Sequence, residues 1–82
     1  MLDIFIEFDV DFYGSRIYYV GATDSLHRPP LWVSKDGSLS RVKENRVFTR
    51  SYDTAVHFAK LISKGTIKEG ISLNLFNAIK AV

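Results

Sequence analysis

Residues 2–13 alternate between apolar and mostly polar positions, and this alternation constrains the fold more than any other feature of the chain. In "LDIFIEFDVDFY" every even position is apolar, while the odd positions include four carboxylates. A period of two over this length is typical of a β-strand with one face on the core and the other in solvent. We therefore predict a half-buried first strand with these core-facing side chains: Leu2, Ile4, Ile6, Phe8, Val10 and Phe12.

Residues 14–50 have the pattern of further short strands joined by turns. "YGSR" predicts a tight turn at Gly14, because glycine adopts positive φ without steric cost. "RIYYVGA", residues 16–22, is rich in β-branched and aromatic residues and predicts an antiparallel return strand. After two prolines, residues 31–42 predict a second hairpin, with "DG" at 36–37 as a two-residue primed turn. "RVFTR", residues 46–50, predicts one more short strand.

The period changes from two to 3.6 at Ser51, which predicts the start of an amphipathic helix. Ser51 is a favoured N-cap residue, and Gly65 is placed to end the helix in a left-handed conformation. The polar face of the helix carries Asp53, His57 and two lysines. The apolar residues of 51–64 cluster on the other side of the helical wheel, as Tyr52, Ala55, Val56, Phe58, Ala59 and Ile62.

The C-terminal residues 71–82 fit two structures. Ser72 is placed to cap a second helix that buries the apolar residues following it, while "ISLNLF" also alternates as a strand would. The composition of residues 77–81 favours the helix. We expect one α+β domain over residues 1–82, with four to five antiparallel strands packed against one amphipathic helix and a second helix at the C-terminus.

Composition limits the classes of protein to which the chain belongs. It has 82 residues, of which 46% are hydrophobic and 24% charged, and it contains no cysteine. Disulfides, thiolate metal sites and a cysteine nucleophile are therefore excluded. The acidic N-terminus does not resemble a signal peptide, and "GISLNLFNAI" is too short to cross a bilayer. We expect a cytoplasmic protein that does not enter a membrane.

Charge is distributed unevenly along the chain. Residues 1–24 carry a net charge of −4 and residues 25–82 a net charge of +6, for a total of +2. Such polarity can orient an encounter with a charged partner. Alternatively, the acidic first strand lies beside basic segments in the folded protein and the charges neutralise one another.

No residue pattern predicts catalysis. His57 has Asp53 four residues before it, which resembles a base oriented by a carboxylate, but no nucleophile accompanies the pair. His27 lacks the companion ligands that a metal site requires. Glycine-rich phosphate loops are also missing. We therefore expect no catalytic residues, no metal site, no cofactor and no enzymatic activity.

Glu7, Asp9 and Asp11 form the most concentrated group of carboxylates. They occupy alternate positions of the first strand, about 6.5–7 Å apart, and so lie on one face. Three interpretations remain open for this group. It is a solvated face that discourages edge pairing, a contact surface for a basic partner, or a site for a divalent cation or acid–base chemistry.

Basic and aromatic residues are interspersed in the middle of the chain. If the strand over residues 46–50 is regular, Arg46 and Arg50 flank Phe48 on one face, an arrangement that suits phosphate contact and base stacking. Alternatively, Phe48 belongs to the core and the arginines extend past it. A protein partner would use a buried aromatic anchor instead. The candidate binding residues are therefore Arg41, Lys43, Arg46, Arg50, Trp32 and Tyr19.

The segments "YYV", "LWVS" and "RVFTRSYDTAVHFAKLI" resemble the small accessory proteins encoded by tailed bacteriophages of the T4 type. The resemblance covers roughly residues 17–62, and no functional residue carries over from it. It implies an early protein that acts in the host cytoplasm by binding a host enzyme, toxin or nucleoprotein.

These observations together favour a non-enzymatic binding module. The expected partner is a host protein that the module inhibits or redirects, because a chain with a net charge of +2 and an acidic first strand attracts polyanions poorly. RNA or DNA binding by the basic, aromatic residues is the alternative. Self-association into a homodimer through an exposed edge strand is a further expectation.

Overall fold

A computed structural model describes residues 2–26 and 28–70 of the protein. Four strands form one antiparallel meander in the order β1-β2-β3-β4, and one helix packs on it. This confirms the predicted α+β architecture, whereas the expected second helix lies outside the described residues. The elements are β1 (Asp3–Val10), β2 (Arg16–Thr23), β3 (Leu31–Val33), β4 (Leu39–Ser40), a short 3-10 helix (Lys43–Asn45) and α1 (Tyr52–Ser63).

The helix α1 begins and ends where its capping residues predict. The Ser51 side-chain oxygen accepts a hydrogen bond from the Thr54 backbone N–H at 3.3 Å, which satisfies one of the free donors of the first turn. Gly65 has φ +75° and its N–H donates to the Ile62 carbonyl at 2.9 Å. Because this left-handed conformation is unfavourable for other residues, Gly65 ends the helix efficiently.

The core lies between α1 and one face of the sheet. The helix contributes Ala55, Phe58 and Ile62, all buried, while Ala59 is only partly buried. Ile4 and Ile6 of β1 pack against this cluster, as predicted, but remain partly accessible. The buried residues of the sheet and of the segment after the helix complete the core: Val20, Leu31, Val33, Leu39 and Ile67.

The predicted burial of Phe8, Val10 and Phe12 is wrong, because all three side chains are exposed. The helix has 12 residues and is therefore about 18 Å long, whereas the eight residues of β1 extend about 26 Å. Tyr52, at the start of α1, contacts Tyr18, which is the β2 partner of Phe8. The part of the β1–β2 hairpin beyond this level therefore extends past the helix.

The second hairpin has a three-residue loop rather than the predicted two-residue turn. The Ser34 N–H donates to the Ser38 carbonyl at 2.8 Å, and the Gly37 N–H donates to the Ser34 carbonyl at 2.9 Å. Residues 35–37 form the loop between these bonds, and Gly37 has φ +87°. A left-handed glycine at the third position is typical of three-residue hairpin loops.

The predicted strand over residues 46–50 is also wrong. This segment makes isolated bridges, from Arg46 to Ser34 and from Thr49 to Tyr18, instead of a continuous ladder. Its two ends pair with different parts of the sheet, one beside the end of β3 and the other beside β2. The segment therefore does not keep one register along its length, although Arg46, Phe48 and Arg50 still lie on the face opposite α1 and Val47 packs on the core.

Candidate functional site

The acidic first strand and the basic central segment are neighbours in the fold. Glu7 Oε1 lies 3.7 Å from Arg46 Nη1, and Asp11 forms an ion pair and hydrogen bond with Arg50. The hydrogen bond from Arg50 is the main reason why the pKa of Asp11 is lowered. The charges that are separated along the sequence therefore pair with one another across the sheet.

Arg46 is held within an aromatic layer on the sheet face opposite α1. Its guanidinium carbon lies 3.6 Å from the Tyr19 ring centroid and 4.8 Å from that of Trp32, and the side chain is only 15% exposed. The buried Nη1 makes no hydrogen bond. Stacking and the nearby Glu7 carboxylate stabilise the cation here. A phosphate oxygen cannot reach Nη1 without displacing the layer, so Arg46 is a packed residue.

Trp32 and Tyr19, the predicted aromatic anchors, belong to the same layer. Trp32 is 5% exposed, and its ring meets those of Phe5 and Tyr19 edge-on at centroid distances of 5.3 and 6.4 Å. Tyr19 is partly buried and also contacts Phe48. The layer covers the second face of the sheet with the protein's own side chains. Trp32 is therefore not available as an anchor for a partner.

Arg41 holds a loop in place rather than facing solvent freely. Its Nη1 donates to the Pro29 carbonyl at 2.6 Å, and its Nη2 lies 3.1 Å from Asp24 Oδ2. Asp24 also pairs with Arg28, and the hydrogen bond from Arg28 is the main cause that lowers the pKa of Asp24 to about 2. Arg41 thus links the proline loop to the end of β4, while Lys43 is exposed in the 3-10 helix.

The carboxylates of the first strand do not converge on one point. Glu7 pairs with Arg46 and Asp11 with Arg50, whereas Asp9 is exposed and accepts a 2.7 Å hydrogen bond from the Val10 N–H. Within residues 2–26 and 28–70, no group of three or more His, Cys, Asp or Glu side chains is arranged to hold a metal ion.

The two histidines are not brought together with a nucleophile in the described structure. His57 is partly buried on α1, with its ring 6.4 Å from that of Phe58. His27 and the C-terminal segment lie outside the described residues.

The most unusual surface is the far end of the β1–β2 hairpin, which the sequence reasoning missed. Phe8, Val10, Phe12 and Tyr13 are 59%, 55%, 97% and 86% exposed, and we call these four residues the overhang. Phe12 and Tyr13 lie in the connecting loop and contact each other edge-on at 5.6 Å. We call these two residues the tip.

Asp11 holds the tip in one conformation. Its Oδ1 accepts hydrogen bonds from the N–H groups of Tyr13 and Ser15 at 2.9 and 2.8 Å, while its other oxygen pairs with Arg50. The Gly14 N–H donates to the Asp11 carbonyl at 3.0 Å, and Gly14 has φ +82°. The exposed aromatic rings are therefore carried by an ordered loop.

The loop of the second hairpin shows that this geometry does not require aromatic residues. Both hairpins have a three-residue loop ending in a left-handed glycine, but Lys35 and Asp36 occupy the positions equivalent to Phe12 and Tyr13. Polar residues are usual at such positions. Two aromatic residues before the glycine of the first loop, where the second loop has a lysine and an aspartate, are therefore the sequence signal that could have revealed this site.

The chain matches no known family model, and no curated protein or solved structure is significantly similar to it. No helix within residues 2–26 and 28–70 is long and apolar enough to span a membrane. These comparisons therefore give no evidence of what the protein does.

Proposed function

We propose that this protein is a small, non-enzymatic binding protein that docks on a host protein through the overhang and so inhibits or redirects it. The exposed Phe12 and Tyr13 on an ordered loop are the observation that carries this proposal. That the partner belongs to a bacterial host follows from the resemblance to T4-type phage accessory proteins.

The apolar area of the overhang is large for an 82-residue protein. Phe8, Phe12 and Tyr13 alone expose the equivalent of more than two complete aromatic residues, or roughly 350–600 Å². Contiguous apolar patches of this size on a monomer are often functional. Aromatic side chains are also enriched among the residues that dominate the binding energy of protein interfaces.

The order of the loop favours binding further. Asp11 and Gly14 already set the backbone of the tip, so a partner does not have to order it on association. Less conformational entropy is then lost, and a larger share of the contact energy appears as affinity.

The ion pairs make nucleic acid the weaker candidate. Arg41, Arg46 and Arg50 each already face a carboxylate, and a phosphate backbone would have to displace that acid. Lys43 is the exposed member of the predicted basic set that has no ion pair among the described residues. We therefore treat RNA or DNA binding as the alternative that the capture experiment below distinguishes from binding to a protein.

Affinity capture from bacterial lysate with matched variants tests the proposal. The double variant Phe12→Ser/Tyr13→Ser gives the tip a polar turn sequence, and Lys35→Ser makes the equivalent change in the second loop. Serine is preferred to aspartate at position 13, because aspartate would add a second carboxylate two residues from Asp11. Both variants should keep the wild-type urea midpoint, since the replaced side chains are exposed.

We expect wild type and Lys35→Ser to capture the same protein from nuclease-treated lysate, and the double variant not to capture it. Equal capture by all three baits would refute the overhang as the contact surface. Capture that disappears on nuclease treatment would replace the proposal with nucleic-acid binding, and the absence of any specifically retained protein would also count against it.

A further inference from the structure

Arg16 differs from the other arginines of the chain, all of which lie in the described part. It has no carboxylate partner among the described residues, and its guanidinium carbon lies 4.6 Å from the Phe8 ring centroid. Each of the other four forms an ion pair with an acid of the same chain: Arg28, Arg41, Arg46 and Arg50.

Arg16, whose charge has no carboxylate partner among the described residues, lies beside the overhang. Arg16 pairs with Val10 across the hairpin, and Phe8 pairs with Tyr18, so all four side chains lie on the face of the hairpin that also carries α1. Tyr52, exposed at the start of α1, contacts Tyr18 at 5.5 Å. The hairpin and the start of α1 thus form two sides of an apolar corner that contains one arginine. We call these residues the overhang corner: Phe8, Val10, Arg16, Tyr18 and Tyr52.

We infer that the overhang corner binds a segment of the partner protein that presents a carboxylate among apolar side chains. This inference rests on the proposed function and names the chemistry of the partner. Stacking on Phe8 leaves the edges of the Arg16 guanidinium free to donate hydrogen bonds. A carboxylate accepts two of these at once, while apolar neighbours cover Phe8 and Val10.

The acids of the same hairpin do not compete for Arg16. Glu7, Asp9 and Asp11 occupy odd positions of the first strand and its end, and so alternate to the opposite face from Phe8 and Val10. Glu7 and Asp11 are also engaged by Arg46 and Arg50. An acid from outside the molecule is therefore the group that would complete the site.

A second copy of this chain fits the corner less well. In a two-fold contact centred on the corner, the same residues of both copies meet. The two Arg16 side chains would then approach each other without an intervening acid, which is unfavourable. A partner with a complementary charge avoids this repulsion.

Selection of peptides from a random displayed library tests the inference, with peptides of about twelve residues as the probe. The immobilised baits are wild type, Arg16→Gln, the control Lys60→Gln and the tip variant Phe12→Ser/Tyr13→Ser. Lys60 is exposed on α1, so its replacement removes one positive charge outside the corner.

Wild type and Lys60→Gln should select peptides that carry Asp or Glu next to large apolar residues. Arg16→Gln should still select apolar peptides, but without enrichment of acids. A synthetic copy of the best peptide should lose affinity about tenfold when its acid is changed to the amide, and this loss should largely disappear on Arg16→Gln.

Enrichment of basic or uncharged peptides on wild type would overturn the inference while leaving the proposed function intact. So would acid enrichment that persists on Arg16→Gln. If no peptide prefers wild type to the tip variant, both the inference and the proposed function fail.

Two further measurements address other occupants. Sedimentation of wild type with phosphatidylcholine–phosphatidylserine vesicles, lost in the tip variant, would assign the overhang, which includes the tip, to a lipid surface instead. A dimer detected by analytical ultracentrifugation and lost in the same variant would assign it to a second copy. Either result would overturn the inference.

Discussion

Replacing Gly21 by alanine should destabilise the protein, because Phe5 lies directly over this glycine. Gly21 pairs with Phe5 across β1 and β2, and a Cβ added at Gly21 would lie 2.9 Å from Phe5 Cε2 and closer still to Cζ. Carbon atoms do not approach so closely, so the ring must move. The backbone of Gly21 has no positive φ and accepts alanine without strain.

The size of the effect follows from what the displaced ring loses. Phe5 meets Trp32 edge-on at 5.3 Å, and such a pair contributes about 0.5–1.5 kcal/mol beyond its buried area. Overpacking costs typically add about 1–3 kcal/mol. Alanine in place of glycine restricts the unfolded chain and offsets about 0.4–1 kcal/mol of this loss. We expect a net destabilisation of roughly 2 kcal/mol, within a range of about 0.5–4 kcal/mol.

Urea unfolding followed by the fluorescence of Trp32, the single tryptophan, measures this change. Trp32 is buried in the folded state, so its emission should change on unfolding. In a Phe5→Ala background the ring is gone, and Gly21→Ala should be neutral or slightly stabilising. Equal costs in both backgrounds, or no cost in wild type, would refute the contact.

Three other predictions concern the core, acid stability and the tip. Ala55→Asp should destabilise the protein by about 3 kcal/mol or more, because Ala55 is fully buried between helix and sheet, while Lys60→Asp on the exposed face should change the urea midpoint little. Hydrogen bonds from Arg28 to Asp24 and from Ser34 to Asp36 lower the pKa of each carboxyl from 3.8 to about 2, so the stabilisation that they give is complete above the higher value and lost as pH falls through the lower one. Replacing Asp36 by asparagine removes its titration, so the free energy of unfolding should depend less on pH between these two values. Arg50→Ala should increase amide hydrogen exchange in the first hairpin loop without unfolding the sheet, and unchanged exchange would contradict the role of its ion pair.

The elements that could be predicted from the sequence are those set by local interactions. Ser51 and Gly65 mark the ends of α1 because capping involves only the adjacent turn. The first two strands follow from alternation and from Gly14, whose positive φ closes the loop. Each of these interactions involves residues that are close in sequence, so the sequence alone is enough to predict it.

Which side chains are buried, and which residues form contacts across the sheet, is decided by how the helix and strands pack together. Phe8 and Val10 have the alternation of core residues, but their exposure follows from the difference in length between α1 and β1, which alternation does not report. Arg46 and Trp32 were predicted to bind a partner, but β1 and β2 bring Glu7 and Tyr19 beside them. Such pairs are distant in sequence, and the register that joins them is a property of the whole sheet.

The candidate site likewise has some features that the sequence determines and others that only the tertiary structure determines. The aromatic pair before Gly14 is visible in the sequence, and its position in a turn is a local property. Its exposure, and the lack of a carboxylate partner for Arg16 among the described residues, are decided by tertiary structure, because the helix begins beside Tyr18 and runs away from the hairpin tip while the nearby acids point to the other face. Solvent exposure and ion pairing depend on every neighbouring element, and the sequence of one hairpin does not contain that information.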